Sequence, residues 1–246
     1  MRLADDSAED KLSDEVIAKR GSILYGGCEE AYQELLKNNA DIHHYDRSKA
    51  KELCKYINNY GKIVLEGHST DYQSSKSLRE MVEDGIAILK VGPALTFALR
   101  EGLFTLSMIE KELISPENRA DFMETLEKVM RHSPENWKKH YSGSQKELKL
   151  QRKFSFSDRC RYYFAKPEVI DAINKLFENL QSVDIPLGML RRFMPMQYIK
   201  VRNGKLALNP KELVLDSVVE LIESYNYATK HNYMVAEILL TRQVVF

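Results

Sequence analysis

The chain has 246 residues, 43% of them hydrophobic and 29% charged, with 36 basic residues against 36 acidic ones and a formal net charge of zero. That length suits one large domain or two small ones, and the balanced charge excludes the electrostatic footprint of a protein that binds DNA, RNA or an anionic membrane. Cys28, Cys54 and Cys160 are odd in number and far apart, which excludes a disulfide framework and a zinc-ligand spacing and points to a reducing compartment.

The opening MRLADDSAEDKLSDEVIAKR is acidic and lacks the apolar core of a signal peptide. No window approaches the roughly 18 apolar residues of a membrane helix, so the cytoplasm is the expected location and no membrane partner is expected. Met1–Ala4 reads as a strand stub. Ser13 and Asp14 cap an expected helix through Val16, Ile17, Ile23, Leu24, Ala31, Leu35 and Leu36, ending near Asn38, with Gly21, Gly26 and Gly27 weakening its middle. ADIHHYD (Ala40–Asp46) is a polar loop, and its His43 and His44 read as solvated residues without metal-ligand company. A helix follows from Ser48 to Asn58, with Ala50, Leu53, Cys54 and Ile57 on one face.

Lys62–Glu66 reads as a short β-branched strand, Ser75–Asp84 as a helix with Leu78, Met81 and Val82 inward, and Ile86–Val91 as a second strand. The second strand is apolar without alternation, the pattern of a parallel strand covered on both faces. Gly92-Pro93 ends it, and a long helix is expected from Ala94 to Glu112 with Leu95, Ala98, Leu99, Leu103, Leu106 and Ile109 inward. The sum is a βαβα unit with a short crossover. Beyond Ser115-Pro116 the pattern is helical, at Asn118–Arg131, Lys146–Leu150, Pro167–Asn179, Leu187–Phe193 and Pro210–Tyr227. PMQYIKVRNG (Pro195–Gly204) is compatible with an extended segment, and the tail HNYMVAEILLTRQVVF turns apolar at its end.

Ligands of parallel sheets gather beyond the carboxyl ends of the strands. Glu66 and His68 lie just past the first strand, with Ser69, Thr70, Asp71 and Tyr72 behind them, and Lys90 lies at the end of the second. A carboxylate, an imidazole and a lysine so placed can abstract a proton, hold a divalent metal or polarise a carbonyl. Gly92, Ala94 and Thr96 open the next helix, whose free amides can receive a phosphate. Each residue also has a plain structural alternative. Glu66 and His68 can cap the turn, Lys90 can reach to solvent, and Gly-Pro is ordinary punctuation after a strand. In FSFSDRCRYYF (Phe154–Phe164), Arg159 and Arg161 alternate with aromatic residues, which suits either phosphate binding or aromatic packing with arginine stems alongside.

LEGHSTDYQ, DGIAILKVGPALTFALRE, FSFSDRCRYY and MPMQYIKVRNGKL together resemble the Z subunit of the class II tagatose bisphosphate aldolases, from about Lys62 to Tyr225. The opening segment resembles the stretch after that family's fourth barrel strand. The resemblance implies an α/β fold, a partial TIM barrel made of the last barrel units (residues 1–114), with a mainly α-helical C-terminal extension (residues 115–246). It implies an accessory, non-catalytic subunit in ketose-phosphate metabolism, serving galactitol or N-acetylgalactosamine breakdown and supporting a separate zinc-dependent catalytic aldolase subunit. His68 matches the histidine after the family's seventh strand, a metal ligand in related aldolases, and Glu66, Asp71, Lys90 and Thr96 fall on the matching motifs.

Only ADIHHYDR separates helices between which a full relative carries two further βα units, and the glycine-rich segment bearing another metal histidine has no counterpart. A truncated and internally shortened relative is therefore expected, in which His68 alone binds metal weakly, because catalytic zinc takes three protein ligands. Two alternatives stand beside the accessory role. One is a metal-assisted ketose-phosphate 4-epimerase or aldolase using Glu66, His68 and Lys90; the other is a fragment with no function of its own.

Overall fold

A computed structural model of the chain describes residues 42–61 and 63–229. The strand stub at Met1–Ala4, the helix expected from Ser13 to Asn38 and the apolar tail lie outside the described residues. The described residues divide into two compact units, those up to residue 92 together with 222–229, and residues 93–221. The long helix, assigned from sequence to the region before residue 114, falls in the second unit because its buried face packs on the helices that follow it.

In the first unit, Asp46 caps helix α1 (Arg47–Tyr60) by accepting from the Ser48 amide, and Gly61 ends it in the left-handed conformation. Its buried face is the expected one, Ala50, Leu53, Cys54 and Ile57. Strand β1 (Leu65–Gly67), helix α2 (Ser75–Glu83) and strand β2 (Ile86–Leu89) follow. Ser74 caps α2 through the Ser77 amide. Between α2 and β2, Gly85 sits at φ +92°, and a Cβ there would lie 2.6 Å from Asn58 Oδ1, so the turn requires glycine.

The two strands pair in parallel, Leu65 with Ile86, Glu66 with Ile88 and Gly67 with Leu89; the shift after Leu65 leaves Ala87 with no residue opposite. Leu65, Leu78, Met81, Ile86 and Ala228 close a core on the α1 face. The expectation of a second strand covered on both faces is corrected. Ala87 and Ile88 are exposed, Ile88 by 47%, and Val64 just before β1 is 62% exposed, because the described residues of this unit pack their core on one side of the pair.

The second unit is helical: α3 (Pro93–Leu113), α4 (Phe122–His132), α5 (Gln145–Phe154), α6 (Pro167–Gln181), α7 (Leu187–Phe193), α8 (Pro195–Arg202) and most of α9 (Pro210–Thr229), with 3-10 turns at Pro116–Asn118, Pro134–Asn136 and Cys160–Tyr163. Leu103, Leu106 and Ile109 of α3 join Phe122 and Leu126 of α4 and Val169 and Leu176 of α6 in its core. The segment Pro195–Arg202, open to an extended reading from sequence, is a helix. Pro195 takes its first position, where a missing amide hydrogen costs nothing, and Met194 breaks the chain from α7 with φ −135°. Among the described residues, no helix is long and apolar enough to cross a membrane.

Candidate functional site

β1 ends at Gly67, and the polar run that follows it is held back onto β2. The Lys90 amide donates to the Gly67 carbonyl at 2.8 Å, extending the parallel ladder by one step. The Thr70 amide and hydroxyl both donate to the Lys90 carbonyl, at 3.0 and 2.9 Å. Asp71, buried, accepts the Gly92 amide at 2.9 Å. This lacing forces the loop into a tight path in which Ser69 and Tyr72 take φ of 53° and 61°. Positive φ is uncommon for a residue with a side chain, and more so for a bulky one, so the loop stores conformational energy next to its polar groups. Tyr225 of α9 completes the clamp. Its hydroxyl donates to the Thr70 carbonyl at 2.9 Å and lies 3.0 Å from the Thr70 hydroxyl.

The clamp brings Glu66, His68 and Lys90 together, as their positions at neighbouring strand ends predict. His68 Nε2 lies 2.9 Å from Glu66 Oε1, and Lys90 Nζ lies 3.4 Å from the same imidazole nitrogen and bonds Glu66 Oε1 directly. The three side chains are partly open to solvent, at 31% for Glu66, 37% for His68 and 54% for Lys90. The Lys90 ammonium, by hydrogen bond and by charge, holds the Glu66 carboxyl below its ordinary range, with desolvation opposing. Exposed Ser69 follows His68 directly.

The Gly92 amide, expected to face a phosphate, is taken by Asp71. Asp71 is therefore a backbone anchor in this arrangement. The remaining expected site residues belong to the second unit. Ala94 is buried in the first turn of α3, and the Thr96 hydroxyl lies 3.0 Å from the Pro93 carbonyl and 2.9 Å from Asp158 Oδ2. Arg159 is 8% exposed and its guanidinium reaches His140 Nδ1 at 3.0 Å. Arg161 bonds the Tyr162 hydroxyl at 2.8 Å, with its guanidinium carbon 4.7 Å from that ring. Both guanidinium groups lie beside the Tyr162 ring.

Two clamp residues went unassigned from sequence. Thr70 stood in the polar run with no assigned role, and Tyr225 is 155 positions away with no local motif to mark it. Among the described residues, no group of three His, Cys, Asp or Glu side chains could hold a metal ion. The Lys90 ammonium already supplies the positive charge between Glu66 and His68, so these residues by themselves do not fit the zinc expected from the family resemblance.

The sequence matches the family described as D-tagatose-1,6-bisphosphate aldolase subunit GatZ/KbaZ-like over residues 35–230, and the chain belongs to that family. It is 42% identical over 190 residues to the D-tagatose-1,6-bisphosphate aldolase subunit GatZ of Escherichia coli strain SMS-3-5, covering 77% of this chain and 45% of that one. The subunit of the same name from Escherichia coli O157:H7 strain EC4115 matches with the same identity and coverage. Among solved structures, a probable tagatose 6 phosphate kinase from Sinorhizobium meliloti 1021 superposes with a TM-score of 0.73 at 44% identity, over 76% of this chain and 49% of that one. The chain thus spans about half the length of the relatives it matches.

Proposed function

We propose that this chain acts as an accessory subunit of a D-tagatose-1,6-bisphosphate aldolase, binding a separate catalytic subunit and supporting its stability and activity. The observation that carries the reading is the 42% identity to subunits of that name across 190 residues. In the same reading, β1 and β2 are neighbouring strands of an incomplete TIM barrel. Their parallel pairing, the polar cluster at their carboxyl ends and the exposed Val64 and Ile88 all suit a sheet that continues in longer relatives. The buried free thiols of Cys54 and Cys160 suit a reducing cytoplasm, and the pathway is ketose-phosphate breakdown, of galactitol or N-acetylgalactosamine.

The test mixes the purified chain with a purified class II catalytic aldolase subunit and follows the partner's melting temperature and retro-aldol rate. Binding to the folded partner raises its melting temperature increasingly with the concentration of this chain, and the rate rises in parallel. Absence of both effects, with separate elution on a sizing column, would overturn the proposal.

The juxtaposition of Glu66, His68 and Lys90 favours a second reading, a ketose-phosphate 4-epimerase or aldolase in its own right. Its weakness is chemical. A carboxylate held below its ordinary range by a bonded ammonium is a poorer base, and the pairing suits a structural or ligand-positioning role better than proton abstraction. Turnover of a tagatose phosphate by the chain alone, lost in His68→Ala, would establish this reading.

A further inference from the structure

The helical unit carries a groove of about 360 Å³ between α4 and α5, lined by the carboxylates of Glu124 and Glu127 and by Lys128, Arg131, His132, Lys149 and Lys153. Both carboxylates are bonded by bases outside the lining, and the charge of Lys153, within it, adds to the hold on Glu124. Lys111 bonds Glu124 at 2.8 Å, and Arg152, 4% exposed, grips both oxygens of Glu127 at 2.7 and 3.0 Å. Arg152 is itself fixed, its guanidinium carbon 4.6 Å from the Trp137 ring, so Glu127 is not free to turn toward the groove lysines.

The groove holds four cations, Lys128, Arg131, Lys149 and Lys153, against two carboxylates that bases outside it already bond. On a chain whose formal charge sums to zero, that is a local concentration of positive charge. The simplest alternative is that the bases complement the negative ends of helices. It covers Arg131 and His132 in the last turn of α4 and Lys153 in the last turn of α5. It leaves Lys128 and Lys149, which stand earlier in their helices, unexplained.

We propose that this groove binds a small anion carrying phosphate groups, at a site distinct in its residues from the strand-end cluster and independent of the accessory role. Four cations around one depression meet the charge of a phosphate ester or diphosphate, and the Arg131 fork can hold two of its oxygens at once. The volume lies within the range of small-molecule sites, roughly 300–1,000 Å³.

The probe is inorganic pyrophosphate, titrated calorimetrically into the full chain at constant ionic strength. The comparison is between the unaltered chain, the double variant Lys149→Ala/Lys153→Ala, and Lys205→Ala, an exposed lysine outside the groove. The expected result is saturable binding that Lys205→Ala leaves unchanged and the double variant weakens roughly tenfold or more, the loss expected from removing charge-assisted hydrogen bonds. Of the two substituted side chains of α5, Lys149 is exposed and Lys153 half-buried, and an unchanged far-UV circular dichroism spectrum checks that the double variant folds. Equal affinity in the double variant, or no saturable heat, overturns the proposal. So does a groove that ignores pyrophosphate while binding polyglutamate through Lys149 and Lys153, which would mark it as a seat for an acidic protein segment.

Discussion

In the sheet unit, Glu66, His68 and Lys90 meet with 31 to 54% of their side chains in solvent. In the helical unit, Arg100 and Asp158 meet 3.5 Å apart with 2% and 0% exposed. Both clusters lie in segments that carry the family resemblance, LEGHSTDYQ and DGIAILKVGP in one case and GPALTFALRE with FSFSDRC in the other, yet they do different physical work. The first is an open, hydrated arrangement whose geometry is held by backbone clamps around it. The second is sealed. Asp158 is approached by the Thr96 hydroxyl and bonded by the Cys160 thiol at 2.6 Å, while Arg100 lies 4.2 Å from the Phe97 ring and donates to the Lys153 carbonyl. Burial and the neighbouring carboxylate push the Cys160 thiol well above its ordinary range, so it is an inert packing group. Charged residues in two such segments thus form an open, hydrated cluster in one place and a buried brace in the other, and exposure separates them.

The sharpest way to break this contrast is Arg100→Met. It strands the Asp158 carboxylate with only a hydroxyl and a thiol for company, and removing one partner of a buried pair costs about 3–5 kcal/mol. Urea unfolding of the full chain should show the midpoint fall steeply, and adding Asp158→Asn should restore part of the loss by removing the orphaned charge. A cost below about 1 kcal/mol, the range of a surface ion pair, would mean that the pair braces nothing.

The periodic elements were legible in the sequence because each has an apolar face that its own unit uses. Helix α1 buries the four residues its spacing predicts, and α7 keeps its predicted limits. Helix α8 was missed because it buries only Gln197, so no apolar stripe announced it. β2 misled in the opposite direction. An apolar run indicates what a strand is suited to be covered by, and here Ala87 and Ile88 remain exposed among the described residues. At the site, adjacency of parallel strand ends was enough to foresee Glu66, His68 and Lys90 together. The Tyr225–Thr70 clamp spans 155 positions, and no local pattern carries such a contact. Gly92, read as an anion-binding amide, gave its hydrogen to Asp71 instead, because a carboxylate already within the loop competes with any external one.

A smaller effect tests whether the open cluster depends on its clamp. Tyr225→Phe keeps the ring and removes the hydroxyl, leaving the Thr70 carbonyl, in a residue 2% exposed, without that donor. The expected loss is about 1–3 kcal/mol, the cost of an unsatisfied buried acceptor. The Lys90 Nζ–His68 proximity should loosen with it, seen as a changed His68 imidazole chemical shift by NMR at fixed pH. An unchanged imidazole chemical shift in a destabilised protein would show that the cluster holds its geometry without the Tyr225 hydroxyl.

The smallest effect lies in the open cluster itself. Glu66 has a lowered carboxyl pKa in the folded chain, so its contribution to stability is present above the unfolded value and is lost as pH falls through the folded one. Its carboxyl carbon, followed by NMR, should titrate below 4.5, the ordinary glutamate value, and Lys90→Ala should move that midpoint upward. Glu66→Gln should shift the urea midpoint at neutral pH less than either substitution above, because solvent screens an exposed pair. A Glu66 midpoint at or above the ordinary value would mean that Lys90 is not bonded to it in solution. The imidazole and carboxylate would then be free of the ammonium, and the catalytic reading of the strand ends would gain the base that it now lacks.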